Sequence, residues 1–463
     1  MAAYATVTSL GDFGPWVSKL VLDLPHAVSA DEVSPATFNV ACTRRKKGPE
    51  QVALDSGRVT ARAAYPCSED GSPLPEATHV ALELEDVPLN RRVDGDARRS
   101  FFVTSNYHVT HASGLVFDEC AGDSCPDLAG WREGVQEEAV DGVRLGYGYY
   151  DPFFSAGGGE KNKGSMPGQV PLIVWLHGAG EGGTDVGLAY QGNRVTALSQ
   201  PRIQGYFGGV AWVLVPQCPT FWMDDGVEQL GHVNESIYVH PLKALIDEFV
   251  AARAGLVDTS RIVIGGLSNG GFMTVRMCLD YPGAWAAGIP VCAPFFEESQ
   301  TPENVARIAR TPLWFVHART DRLVDPTTTS LPLCRRLREA GAEAHMTLFD
   351  RMEDLTGTYH EPDGSPLRIA GHNVWIHVYN DFCQEEQDGR SVSLWEWAAS
   401  KRAEPAEPFR AMPAPASFWD ELGDRSYKEA LASWRTEDYE ALARHLRHHV
   451  GSGGSNCQPR QID

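Results

Sequence analysis

The 463-residue chain contains no run approaching about 18 consecutive apolar residues, so no membrane-spanning helix is readable in it. It is short of positive charge: 40 Lys and Arg stand against 61 Asp and Glu, a formal net charge of −21. Without a basic stripe to neutralise phosphates it does not read as a nucleic-acid binder, and the same balance disfavours docking on an anionic membrane. The first residues, MAAYATVTSLGDFGPWVSKL, lack a basic stretch followed by an apolar one, which leads to the expectation of a cytoplasmic protein. Ten cysteines are scattered without a CxxC pair, which excludes a disulfide-held scaffold and a thiolate zinc finger. Cys120 and Cys125 are the one close pair, expected as a loop disulfide or two free thiols. No HExxH and no clustered His/Asp set is present, so neither a metal nor a cofactor is expected. No internal repeat announces a propeller or solenoid.

What is present divides in three. Residues 1–135 hold short alternating or β-branched runs (SKLVLDLP, ATFNVACTRR, RVTARAAYP, HVALELEDV, RSFFVTSNYHVT) separated by Gly, Pro, Asp and Ser. This is the pattern of an immunoglobulin-like β-sandwich, without the Cys–Trp–Cys signature. Its basic run Arg44-Arg45-Lys46-Lys47 reads as a solvated hairpin. From 136 to 402 the character changes to α/β. Apolar strands PLIVWLHG, VAWVLVPQ, RIVIGGLS, AAGIPVCAP, TPLWFVHA and EAHMTLFD alternate with helical stretches such as SIYVHPLKALIDEFVAARAG. Alternation of this kind predicts a doubly wound, mostly parallel sheet. Residues 403–463 open with a Pro/Ala-rich strap. Two short helices are expected after it, one with a capping box from Ser426 to Glu429, the other acidic at its start (Glu437, Asp438) and basic at its end (Arg444 to His449).

The chemistry concentrates in the middle segment. Gly266-Leu267-Ser268-Asn269-Gly270 fits G-x-S-x-G between a strand and a helix. A nucleophilic serine must stand on a tight, strained turn, and glycines two residues before and after remove the side chains that would crowd it. An acyl-transfer serine also needs donors for the oxyanion of the tetrahedral intermediate. The N–H of Asn269 is one candidate. Ala179, in the Gly-rich turn His177-Gly178-Ala179-Gly180-Glu181, is the other, with Gly180 as its near alternative. That turn lacks the Lys-Ser/Thr ending of a phosphate-binding loop. Glu181 is expected to tie the turn to neighbouring backbone. The orienting acid and the base should follow in chain order. Asp321, just past the strand TPLWFVHA, is the expected acid, with Asp325 as its rival. His372, in Ala370-Gly371-His372-Asn373, is the expected base, whereas His360 and His377 lack the Gly-flanked loop. His317 precedes the acid and reads as a structural residue at a strand end. Trp222 and Trp375 either line an acyl or alcohol pocket or pack the surrounding loops.

The segments HGAGEGGTD, GLSNGG, HARTDRLVDP, GHNVW and HVYND…LWEWAASKR together resemble the α/β-hydrolase superfamily. More narrowly, they are similar to its predicted-peptidase/carboxylesterase group, related to polyhydroxybutyrate-depolymerase-like and feruloyl-type esterases. Some members of that group carry an immunoglobulin-like domain in front. The resemblance covers about 140–402 and implies Ser268 as nucleophile, Asp321 as acid, His372 as base, and Ala179 and Asn269 as oxyanion donors. It implies a serine carboxylester hydrolase acting on small or aromatic esters, with a small molecule as its partner; a homo-oligomer is left open. A prolyl-oligopeptidase-type peptidase or amidase is the alternative within hydrolases, and a non-catalytic binding module on a hydrolase fold the alternative outside them. Asp325 stands before Pro326 where the group more usually has an apolar residue.

Overall fold

The computed structural model describes residues 2–47, 50–92, 99–154, 168–230 and 234–403. The strap and helices expected after 403, and most of the Gly/Lys-rich loop before Val170, lie outside them. Among the described residues no helix is long and apolar enough to cross a membrane.

The N-terminal domain is built from Ala2–Gly11 (β1), Gly14–Ser29 (β2), Phe38–Lys46 (β3), Ala53–Val59 (β4), Ala61–Cys67 (β5), Glu76–Pro88 (β6), Asn90–Arg92 (β7), Ser100–His111 (β8) and Val116–Ser124 (β9). Alternation along these strands turns one side chain in two inward. Tyr4, Leu20, Leu22, Val40, Val80, Leu82, Val109 and Phe117 thereby meet in one core. The sandwich expected from the sequence departs in one respect. The strands follow a single hydrogen-bonded path, β4-β3-β8-β9-β1-β2-β6-β5, with β7 attached to β8. That path curls until β4, at one end, touches β6 near the other. The basic run lies in the β3–β4 hairpin, where Arg44 forms a bidentate pair with Asp55 (2.7 and 2.6 Å). Cys120 and Cys125 are both free thiols.

The second sheet comprises Trp131–Val135 (β10), Gly146–Tyr150 (β11), Val170–Leu176 (β12), Trp212–Gln217 (β13), Val257–Leu267 (β14), Ala287–Val291 (β15), Leu313–Ala318 (β16) and Ala344–Phe349 (β17). Their order is β10-β11-β13-β12-β14-β15-β16-β17. From β13 through β17 neighbours pair in parallel, and β10 and β11 are antiparallel additions at one edge. The sheet therefore starts at Trp131, ahead of the boundary at 135 drawn from composition. Both faces of the central strands are covered, which is why β12 is apolar at every position. Ile173 and Trp175 face a core shared with the helices Val186–Gln191, Pro201–Tyr206 and Leu394–Ser400. Leu172, Val174 and Leu176 face the opposite core, with Val239–Ala251 and Asn269–Asp280.

The two domains meet at the tip of the β1–β2 hairpin. Buried Asp12 accepts hydrogen bonds from Arg194 Nη1 (2.7 Å) and Asn380 Nδ2 (2.9 Å). Phe13 packs edge-to-face on Tyr359, with ring centroids 5.3 Å apart. Asn90 adds a hydrogen bond from its Nδ2 to the carbonyl of Gly192 (3.1 Å).

Candidate active site

Ser268 joins the end of β14 to the helix Asn269–Asp280 with φ 51° and ψ −114°, a left-handed conformation that costs a serine about 1–3 kcal/mol. The turn is held open by its glycines. A Cβ on Gly266 would lie 2.7 Å from the Leu176 carbonyl oxygen, and one on Gly270 would lie 2.1 Å from the same atom. Two backbone bonds fix it: the Ser268 N–H donates to Val291 O (2.8 Å), and the Phe272 N–H donates to Ser268 O (2.9 Å). The hydroxyl is thus set at the C-terminal edge of a parallel sheet, where open α/β sheets hold their ligands.

His372 reaches it from the turn Gly371–Asn373. Gly371 allows that approach, since a Cβ there would sit 2.4 Å from the carbonyl carbon of Thr320. The imidazole Nε2 lies 2.9 Å from Ser268 Oγ, and Nδ1 lies 2.8 Å from Asp321 Oδ2. A carboxylate can only accept, so Nδ1 carries the proton and Nε2 is left to accept from the serine hydroxyl. Asp321 itself is buried. Its Oδ1 accepts from the N–H groups of Leu323 (2.9 Å) and Val324 (3.0 Å). Burial alone would raise its pKa, but the contacts with His372 and His317 outweigh it and hold the carboxyl well below its ordinary range. Asp325, the rival acid, is exposed and spends its Oδ1 on the N–H and hydroxyl of Thr327 (2.8 and 2.7 Å).

His317 does more than close a strand. Its Nε2 donates to Asp321 Oδ2 (3.2 Å) and Val324 O (3.0 Å), leaving Nδ1 to accept from the Ser330 hydroxyl (2.9 Å). The signal in the sequence was the histidine four residues before the acid, at the end of the same strand. Cys292, at φ 40° directly after β15, offers its sulfur within 4.8 Å of ligand atoms on Asp321 and His372. Both oxygens of Asp321 are already engaged by N–H donors, so the trio reads as packing around the imidazole.

Ala179 lies in the turn Ala179–Glu181 after β12, and Asn269 opens the helix after Ser268. The close approach of Leu176 and His177 to Gly270 brings the two segments together. Glu181 is buried, and its carbonyl accepts from Gln217 Nε2 (2.7 Å). The Asn269 side-chain oxygen is occupied: Oδ1 accepts from the Trp222 N–H at 2.5 Å. Trp222 is 0% exposed, its ring between His177 and Tyr238. Trp375 is 3% exposed and stands edge-on to His372, with centroids 5.5 Å apart. Of the two roles open to these tryptophans, the structure gives both a packing contact behind the site.

Residues 166–352 match the family described as Phospholipase/Carboxylesterase, and residues 3–116 match the one described as Esterase Ig-like N-terminal domain. The chain has an α/β-hydrolase fold behind an Ig-like domain. A solved structure titled as a thermostable esterase shares this two-domain fold: TM-score 0.65, 24% identity, over 86% of this chain and 99% of that one. Poly(3-hydroxyalkanoate) depolymerase C of Paucimonas lemoignei is 28% identical over 134 residues, which cover 27% of the hydrolase and 28% of the depolymerase.

The turn of the hydrolase that carries Ala179 is pinned by His177, a residue given no task in the sequence reading. Its Nδ1 donates to Gly178 O (2.7 Å) and its Nε2 accepts from the Cys218 N–H (3.0 Å), so the ring bridges the ends of β12 and β13. Burial pushes its pKa down to about 4, with Arg99 adding to the effect and the Gly178 carbonyl opposing it. Protons therefore bind the unfolded chain before the folded one. The stability His177 contributes is complete above its unfolded pKa of about 6.5 and is lost as pH falls from there toward about 4. Melting temperature should fall across that window, by at most about 1.4 kcal/mol of stability per pH unit for this group. His177→Gln should flatten the acid limb, as measured by thermal melts from pH 7 to pH 4. An unchanged limb would show that His177 does not titrate with unfolding.

Proposed function

We propose that the chain is a serine carboxylester hydrolase that works through an acyl-enzyme on small or aromatic carboxylic esters. The observation that carries this is the continuous chain of hydrogen bonds from Ser268 Oγ through His372 to buried Asp321, with the serine on a strained strand-to-helix turn. In the proposed reaction His372 Nε2 takes the Ser268 proton as Oγ bonds to the ester carbonyl carbon. The negative oxygen that develops is met by the N–H groups of Ala179 and Asn269. Collapse expels the alcohol, protonated by His372, and leaves Ser268 acylated. Water then repeats the sequence: His372 takes its proton, the hydroxide oxygen bonds to the acyl carbon, and Oγ leaves with the proton returned. Asp321 stays ionised throughout, steadying the imidazolium and holding the tautomer. His317 and the N–H groups of Leu323 and Val324 keep that carboxylate in place. The similarity to a depolymerase of a poly(3-hydroxyalkanoate), itself a polyester, favours ester bonds as the target.

The test compares 4-nitrophenyl acetate, butyrate and octanoate with an aminoacyl 4-nitroanilide. Ester turnover well above amide turnover is expected, and the rank of chain lengths sizes the acyl pocket. Comparable amide cleavage would move the assignment to a peptidase. Turnover of neither would leave a binding module on a hydrolase fold.

A further inference from the structure

One cation of the N-terminal domain reaches the candidate site. Arg99 immediately precedes β8, and β8 packs against the turn Ala179–Glu181. The Arg99 guanidinium lies over the Phe221 ring, 5.2 Å from its centroid, and a Cβ on Gly183 would be 4.0 Å from its Nη1. Both neighbours are tied to segments of the candidate site. Gly183 follows the Ala179 turn and donates its N–H to Cys218 O (2.8 Å). Phe221 directly precedes Trp222, whose N–H is held by Asn269 beside Ser268. Arg99 therefore stands next to the segment that carries Ala179 and to the segment hydrogen-bonded to the Asn269 side chain.

Its charge is half-buried and, among the described residues, no carboxylate lies within ion-pair distance of it. The aromatic face beneath satisfies the plane of the guanidinium but accepts none of its N–H groups. A chain of net charge −21 repels anions at long range, so a guanidinium here is a local exception to the molecule's field. Guanidinium forks bind carboxylates with two parallel hydrogen bonds, which fixes orientation as well as charge.

We propose that Arg99 forms an anion subsite through which the N-terminal domain selects esters bearing a free carboxylate. The inference rests on the ester-hydrolase reading above and gives that site its substrate class. The selected ester enters with its carboxylate on Arg99 and its scissile carbonyl at Ser268.

The experiment uses two matched pairs, because the carboxylate can lie on either side of the scissile bond. Mono-4-nitrophenyl adipate is compared with 4-nitrophenyl hexanoate, and 4-acetoxybenzoate with 4-acetoxybenzamide. The quantity read is the ratio of kcat/KM for the charged member to that for the neutral one, which does not depend on the fraction of enzyme folded. Arg99→Ala should lower this ratio about tenfold for at least one pair, through KM, the size expected of one charge-assisted pair. Arg99→Lys should restore part of the loss, since the charge remains and the fork does not. Ratios unchanged in Arg99→Ala for both pairs would overturn the proposal and leave Arg99 as a clamp between domains. Ser268→Ala separates the two claims: if it still cleaves these esters, the ester-hydrolase reading fails, whatever Arg99 does.

Discussion

Ser268→Ala should lower kcat/KM on 4-nitrophenyl butyrate by about 10⁴- to 10⁶-fold, the range expected when the nucleophile of an acyl-transfer triad is removed. No covalent intermediate can form without Oγ, and whatever rate remains comes from the oxyanion donors and from binding. The loss should not be one of folding. The bonds that hold the turn, from Ser268 N–H to Val291 O and from Phe272 N–H to Ser268 O, are backbone bonds that alanine keeps. Alanine also meets the same φ of 51° that serine does. Circular dichroism and melting of the variant should accordingly resemble the parent. Activity above about a tenth of wild type would remove Ser268 from the mechanism.

The second large effect separates two aspartates four residues apart. Asp321→Asn should reduce kcat about 10⁴-fold, because an amide turns an N–H₂ toward a histidine and favours the wrong imidazole tautomer. Its Oδ2 lies between His372 Nδ1 (2.8 Å) and His317 Nε2 (3.2 Å), both of which need an acceptor. An asparagine amide must turn its N–H₂ either onto these two imidazole N–H groups or onto the backbone N–H groups of Leu323 and Val324, which bind the other oxygen. Asp325→Asn should leave kcat within about threefold and cost less than about 1 kcal/mol of stability, since that exposed side chain only caps its own turn through Thr327. Initial rates at saturating ester and thermal melts of both variants decide the matter. A larger activity loss in Asp325→Asn would reverse the assignment of the acid.

The parts of this molecule that could be read from the chain are those in which local pattern and function coincide. The all-apolar run of β12 announces a strand buried on both faces. The two glycines around Ser268 announce a turn that a side chain would block, and the structure gives those clashes at 2.7 and 2.1 Å. Pairing over long separations was not readable. Trp131–Val135 falls before the boundary drawn at 135 from composition, and only its partner, Gly146–Tyr150, assigns it to the second sheet. The single curled path of the N-terminal domain likewise depends on β1 lying parallel to β9, more than a hundred residues away in the chain. Tryptophans near a site are ambiguous for the same reason. An indole can line a cleft or fill a core, and the rings that pack on Trp222, Tyr238 and His177, are ones that no local pattern brings together. His317 was visible, but its second function depends on a carboxylate oxygen with room for two donors.

The hairpin tip at Asp12 and Phe13 bears on how such a protein can be inherited. Domains joined by a bare linker can be exchanged by recombination, each half remaining sound. Here the second half carries Arg194 and Asn380 converging on a buried carboxylate of the first, and Tyr359 with a phenyl ring against it. A gene fragment beginning near Trp131 would encode a cation without its counter-ion and an aromatic face without its cover. Duplication and shuffling should therefore transmit the two halves together, and substitutions at Asp12 should be matched by substitutions at Arg194.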